Sequence, residues 1–80
     1  MNLIGHDGWV NAIIFHPNGK YLLSASDDKS VRIWDMEKNG VCIKKMLDIH
    51  TSFITTIAIS RKALATGSVD KSIKLFDLSS

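Results

Sequence analysis

The run Ser26-Asp27-Asp28-Lys29-Ser30-Val31-Arg32-Ile33-Trp34-Asp35 returns 42 positions later as Ser68-Val69-Asp70-Lys71-Ser72-Ile73-Lys74-Leu75-Phe76-Asp77. Ser26, Asp28, Lys29, Ser30 and Asp35 are identical at this offset, and the apolar positions between them are matched in kind. A period of about 40–45 residues is the signature of a propeller or another stacked array. Two copies are too few to close such an array, so the repeat predicts that these 80 residues are a piece of something larger.

Outward from the repeat, the chain reads as short strands separated by turns. Trp9 to Phe15 is rich in β-formers and is followed by the turn His16-Pro17-Asn18-Gly19. Tyr21 to Ala25 is a second strand, ended by Ser26-Asp27-Asp28-Lys29. Val31 and Ile33 alternate with Arg32 and Trp34 in a third, Glu37-Lys38-Asn39-Gly40 is a turn, and Val41 to Leu47 is a fourth strand. The pattern restarts with Phe53 to Ile59, Ala63 to Gly67 and Ile73 to Asp77. No stretch carries a 3.6-residue period, so the expected class is all-β, and the repeat selects a propeller among all-β architectures. His6 and His50 are 44 apart whereas Asp28 and Asp70 are 42 apart. The two-residue deletion falls between Ile59 and Thr66, where Pro-Asn-Gly is absent and a turn can absorb it.

Composition narrows the function classes. Lys and Arg are scattered, and a net charge of +2 gives no basic stripe for nucleic acid. The single cysteine, Cys42, excludes an internal disulfide framework and fits a reducing compartment. The N-terminal residues form no secretory signal, and no apolar run approaches the ~20 residues that span a bilayer. A cytosolic or nuclear protein without membrane insertion is expected. The three histidines and Cys42 match no zinc spacing, so neither a metal nor a cofactor is expected. Cys42 reads as a small packing residue. Val10, Ile13, Phe15, Leu22, Val31, Ile33, Ile54, Ile57, Leu64, Ile73 and Leu75 are the candidate core.

His6, Ser24 and Asp28 are the residue types of an acyl-transfer triad, which makes an esterase one reading. Antiparallel order places His6, in the loop before strand one, and Asp28, in the turn between strands two and three, at one end of the sheet. Trp34 and Ser24 on adjacent strands can complete a hydrogen-bonded chain with them. No oxyanion hole is apparent, and the trio recurs as His50, Thr66 and Asp70. A catalytic site seldom repeats within 80 residues, so the structural reading is preferred and no catalytic residue is assigned. In the second copy Phe76 replaces the tryptophan and Ile49 replaces the glycine before the histidine, so its network is expected to be partial and its sheet looser. Trp9, Lys29, Phe53 and Lys71 fall at the same end. They read either as a binding surface of aromatics and cations, or as strand starts packed inward beside solvated turn lysines.

Gly5-His6, Ser24-Ala25-Ser26, Asp28 and Trp34-Asp35 together resemble the WD40 repeat over essentially the whole chain. The resemblance implies a β-propeller fragment with one complete four-stranded blade and a three-stranded partial blade. The first repeat with its following outer strand covers 1–48, the second covers 49–80, and Leu3-Ile4 is the stub of a further blade's outer strand. It also implies that His6, Ser24, Asp28 and Trp34, with His50, Thr66 and Asp70, brace the blades. Asp7-x-Trp9-Val10, Phe15-His16 and Thr66-Gly67-Ser68-Val69-Asp70 further resemble the lissencephaly-protein subfamily. Its members regulate cytoplasmic dynein and serve as a non-catalytic subunit of a platelet-activating-factor acetylhydrolase. That resemblance implies a scaffold whose partners are the dynein motor domain and acetylhydrolase catalytic subunits. It places Trp9 and Lys29, and with them Phe53 and Lys71, on the partner face. It further implies a dimer formed through an N-terminal region outside this chain, located in the cytoplasm with microtubules and the centrosome. Another WD40 adaptor (a ubiquitin-ligase receptor, a chromatin scaffold or a splicing scaffold) stays open at this point. So does a self-assembling unit that pairs through the strand edges at Val41 to Leu47 and Ile73 to Asp77.

Overall fold

The computed structural model describes residues 2–77. Met1 and residues 78–80, the outermost positions of the two expected repeats, lie outside the described residues. Among these residues seven strands form two antiparallel sheets. Sheet 1 is β1 (Val10–Phe15), β2 (Tyr21–Ser26), β3 (Val31–Asp35) and β4 (Val41–Met46), paired in that order. Sheet 2 is β5 (Ile54–Ile59), β6 (Ala63–Ser68) and β7 (Ile73–Asp77). All seven expected strands are present, with ends displaced by at most one residue. The β1–β2 connection spans residues 16–20 and the β5–β6 connection 60–62, so the two-residue deletion does fall in a turn. The turn after β3 is a single 3₁₀ turn, Met36–Lys38. The Asp35 carboxylate caps it by accepting the Glu37 and Lys38 N–H groups at 2.9 and 3.2 Å.

The sheets stack through β1, β2 and β5, with Leu23, Ala25, Val31, Ile54, Ile57 and Leu64 forming one buried cluster between them. Ala12, Ile14, Ile33, Ile59 and Phe76 pack at its margin. Asn11 adds a polar link, its Nδ2 donating to the Ile54 carbonyl of sheet 2 at 2.9 Å and to Asp27 of its own sheet at 2.5 Å. Asn11 is free to reach across because β1 bulges there: Val10 pairs with Ser26 and Ala12 with Ala25. β5 bulges at the equivalent place, between Ile54 and Thr56.

One expectation, the candidate core, is corrected. Leu22, Val31, Ile54, Ile57 and Leu64 are buried and Ile33 is half-buried, but Val10, Ile13, Phe15, Ile73 and Leu75 are exposed. Ile13 and Phe15 lie on the face of sheet 1 turned away from sheet 2, and Ile73 and Leu75 on the opposite outer face. Apolar pattern marks a sheet face that wants cover; the two inner faces cover each other, while on the outer face of sheet 1 Leu22 and Trp34 are buried beside Leu3 and His6 of the entry segment and Ile13 and Phe15 stay exposed. Leu3-Ile4, expected as the stub of a further blade's outer strand, lies outside the strands of the two sheets.

Leu23 and Leu64 face each other's sheets at full burial. Leu23→Ala or Leu64→Ala is expected to cost about 2–5 kcal/mol in urea unfolding. Leu75→Ala, on an open face, is expected to cost well under about 1 kcal/mol in the same measurement.

Candidate functional site

The chain enters β1 and turns from β2 to β3 at one end of sheet 1. The turn is built by its own side chains. Asp28 N–H donates to Ser26 Oγ at 3.1 Å, Lys29 N–H to the Ser26 carbonyl at 3.1 Å, and Ser30 N–H to Asp28 Oδ1 at 3.0 Å. The reversal puts Lys29 in the left-handed region at φ 68°. This geometry aims the Asp28 carboxylate back at the entry loop. Its Oδ2 accepts from His6 Nδ1–H at 2.9 Å and from Asp7 N–H at 3.0 Å, and its Oδ1 also takes the Ser30 hydroxyl at 2.5 Å.

With Nδ1 donating, His6 Nε2 accepts the Ser24 hydroxyl proton at 2.5 Å, and Trp34 Nε1–H donates to Ser24 Oγ at 2.9 Å. The structure therefore brings His6, Ser24, Asp28 and Trp34 into one directed chain, from indole through hydroxyl and imidazole to carboxylate. Leu22 pairs with Trp34 and Ser24 with Arg32, which sets the indole and the hydroxyl on the same face of adjacent strands. Gly5 is closely approached: a Cβ there would lie 3.0 Å from Arg32 Nη1 and 3.3 Å from Trp34 Cη2, so those side chains would have to give by a few tenths of an ångström.

Sheet 2 repeats the arrangement with one member fewer. His50 Nδ1 meets Asp70 Oδ2 at 2.9 Å, His50 Nε2 meets Thr66 Oγ1 at 2.7 Å, and Thr51 N–H donates to Asp70 at 3.1 Å. Ser68 and Ser72 build the turn as Ser26 and Ser30 do, and Lys71 sits at φ 73°. The Phe76 ring has no N–H to give to Thr66, so this network stops at three residues.

Both aspartates are held acidic. At Asp28 partial burial alone would raise the pKa, but the bonds from Ser30, His6 and Asp7 outweigh it and lower it from 3.8 to about 2. At Asp70 the Ser72 hydroxyl is the largest influence; it lowers the pKa against desolvation, with further lowering from Ser72 N–H, His50 and Thr51 N–H. Ser30 and Ser72 were visible in the sequence as identical repeat positions, yet their part in holding the carboxylates was not read. Arg32 was also missed: it is buried beside Gly5 with its Nε unpartnered.

The geometry resembles an acyl-transfer triad in its bonds and differs from one in its access. Ser24 is 4% exposed, in mid-strand, and its oxygen already takes the Trp34 N–H. The other expected residues stand at the same end. Trp9 is 81% exposed and Phe53 48% exposed, so neither is packed into the core, and Val69 beside Phe53 is also exposed. The Trp9 and Phe53 carbonyls accept the Asp27 and Val69 N–H groups at 2.9 and 3.0 Å, which anchors both aromatics next to the two turns.

Comparison with known proteins agrees with this architecture. The WD domain, G-beta repeat family model matches residues 1–35 and 40–77. Nuclear distribution protein nudF 1 of Talaromyces marneffei is 60% identical over 57 residues, 71% of this chain and 12% of that protein. Nuclear distribution protein PAC1 of Ajellomyces capsulatus is 53% identical over 58 residues, 72% of this chain and 13% of that protein. The chain thus spans about an eighth of the length of the curated relatives it matches. The crystal structure of the RRP9 WD40 repeats superposes with a TM-score of 0.87 at 26% identity, over 94% of this chain and 24% of that one.

Trp34→Phe converts the first network into the three-membered form of the second, and is expected to cost about 1 kcal/mol in chemical denaturation. A depressed carboxylate contributes stability above its unfolded pKa and loses it as pH falls toward the folded one. The stability that these carboxylates contribute is therefore expected to be lost as pH falls from 3.8 toward their folded values, with Asp28→Asn removing part of that loss. Thermal melts across pH 2–6 are the check.

Proposed function

This chain belongs to the WD40 repeat family, and we propose that it is a non-catalytic platform for protein partners, working through the end of the sheets that carries the two histidine–aspartate pairs. The observation that carries the reading is Trp9, an indole 81% exposed yet anchored through its backbone beside the Asp27 to Lys29 turn. A large aromatic held rigidly at the surface loses little freedom on binding and buries much area, the profile of an interface hot spot. Phe53 and Val69 extend the apolar part. Lys29 and Lys71 flank it, each in a left-handed backbone conformation that glycine or asparagine would adopt with less strain. Lysine at both strained positions is consistent with a need for its charge there.

The partner proposed is the cytoplasmic dynein motor domain, with acetylhydrolase catalytic subunits as a second, and a place in the cytoplasm on microtubules and the centrosome. Support comes from the resemblance to the lissencephaly-protein subfamily at Trp9, Phe15-His16 and Thr66 to Asp70. The relatives' own description as nuclear distribution proteins is compatible with a role in intracellular transport. In this reading His6, Ser24, Asp28 and Trp34, together with His50, Thr66 and Asp70, brace the loops that present the surface. The assembled protein is a dimer through an N-terminal region beyond this chain, and 1–48 and 49–80 act as its repeat units. The buried, already bonded Ser24 hydroxyl argues against an esterase, because no carbonyl carbon can approach it without opening β2.

Trp9→Ala, in this chain or in a longer protein that carries it, is expected to weaken binding to the dynein motor domain by about tenfold or more. The thermal midpoint is expected to stay put, since Trp9 contributes little buried area. Unchanged affinity in a titration, or a collapsed melting transition, would overturn the assignment.

A further inference from the structure

At the end that carries Trp9 and Phe53, the two sheets are joined by a polar link. Asn11 stands two residues after Trp9, and Ile54 directly follows Phe53. The Asn11 amide nitrogen donates one hydrogen to the Ile54 carbonyl at 2.9 Å and the other to Asp27 Oδ1 at 2.5 Å. Both partners are acceptors, so only the NH2 end of the amide can face them, and both of its hydrogens are used. Asp27 in turn donates its backbone N–H to the Trp9 carbonyl at 2.9 Å. On the other side, the Phe53 carbonyl takes the Val69 N–H at 3.0 Å and the Ser68 hydroxyl at 2.8 Å. The two exposed aromatics lie 44 positions apart in the chain, yet a short run of backbone and one side-chain hydrogen bond connect them.

The second repeat does not carry the residues that make this link. The positions equivalent to Asn11 and Asp27 are Thr55 and Val69. Thr55 turns its hydroxyl to the Gly67 carbonyl of its own sheet at 3.4 Å, and the Val69 side chain has no acceptor for an amide hydrogen. β5 nevertheless keeps the bulge and the pairing that β1 has. The apolar cluster of Leu23, Ala25, Val31, Ile54, Ile57 and Leu64 holds the sheets together. Asn11 itself is exposed, so water can replace its bonds at little cost to folding. What the link fixes is the offset between two aromatics on different sheets.

We propose that Asn11 is a positioning residue for partner binding: it presets the spacing of Trp9 and Phe53, so that one continuous partner surface engages both aromatics across the junction. The inference rests on the reading of this end as the partner-binding surface. Without the link the sheets keep their fold, but their aromatic-bearing ends shift relative to each other. A partner that touches both aromatics must then fix the spacing itself, and that ordering weakens binding. A partner held by one aromatic meets no such penalty, because a single contact has no spacing to fix.

Affinity for the dynein motor domain, titrated with the natural protein that contains these residues, tests the proposal in three backgrounds. Asn11→Thr installs the residue that the second repeat carries at this position. With both aromatics present it is expected to weaken binding about tenfold. In a Trp9→Ala or a Phe53→Ala background the same substitution is expected to change affinity by less than about twofold. Asp27→Ala, which removes the second anchor of the amide, is expected to show the same dependence on background. Equal losses in all three backgrounds, from either substitution, indicate damage to the fold and overturn the proposal. So does an Asn11→Thr protein that binds like the wild type while Trp9→Ala binds weakly. A wild type that does not bind the motor domain, or a Trp9→Ala protein of unchanged affinity, overturns the binding-surface reading and this inference with it.

Discussion

The bond from histidine to aspartate at the entry of each sheet is the constraint on which the rest of the molecule depends. His6 lies before β1 and Asp28 lies after β2, so their contact fixes where the chain enters relative to where it turns. A carboxylate that accepts four hydrogen bonds, with its pKa held near 2, stays charged and oriented at any physiological pH. That orientation sets the histidine tautomer, which sets the direction of the serine hydroxyl, which leaves the serine oxygen open to the indole N–H. Polar groups that would be costly inside a stack of sheets thus satisfy one another. The second sheet reaches the same geometry with threonine for serine and without the indole.

Much of this was legible in the chain because the repeat supplies its own alignment. Identical turn residues at a constant offset locate both hairpins, and the 44-against-42 spacing locates the shortened loop. The network residues were legible for a related reason: antiparallel pairing brings an entry loop and the next turn to one end regardless of loop detail. The roles of Ser30 and Ser72 were not read, since a serine two residues past an aspartate is ordinary turn composition until the carboxylate is seen to need a second donor.

Burial was the poorest reading, and the bulge at Asn11 explains part of it. An extra residue in β1 interrupts the alternation of faces, so Trp9, Val10 and Ile13 cannot be sorted into inside and outside by counting in twos. The rest is a matter of what sequence pattern encodes. Ile13, Phe15, Ile73 and Leu75 have the spacing of covered residues, and their spacing is silent on what does the covering. Arg32 was opaque for the opposite reason: a basic residue alternating with apolar ones reads as solvent-facing, yet it is buried with its guanidinium against Gly5.

The unequal loops at the far end, residues 16–20 and 60–62, have a consequence for how such a chain can change over evolutionary time. Each sheet has one end whose length is locked, because a residue added between His6 and Asp28 on that side would pull the imidazole off its carboxylate. The opposite end has already lost two residues in one copy while its sheet kept the same register. Novelty can therefore be acquired at that end by insertion and at the locked end only by substitution. A lineage of such repeats would diversify in loop length on one rim and in side-chain identity on the other.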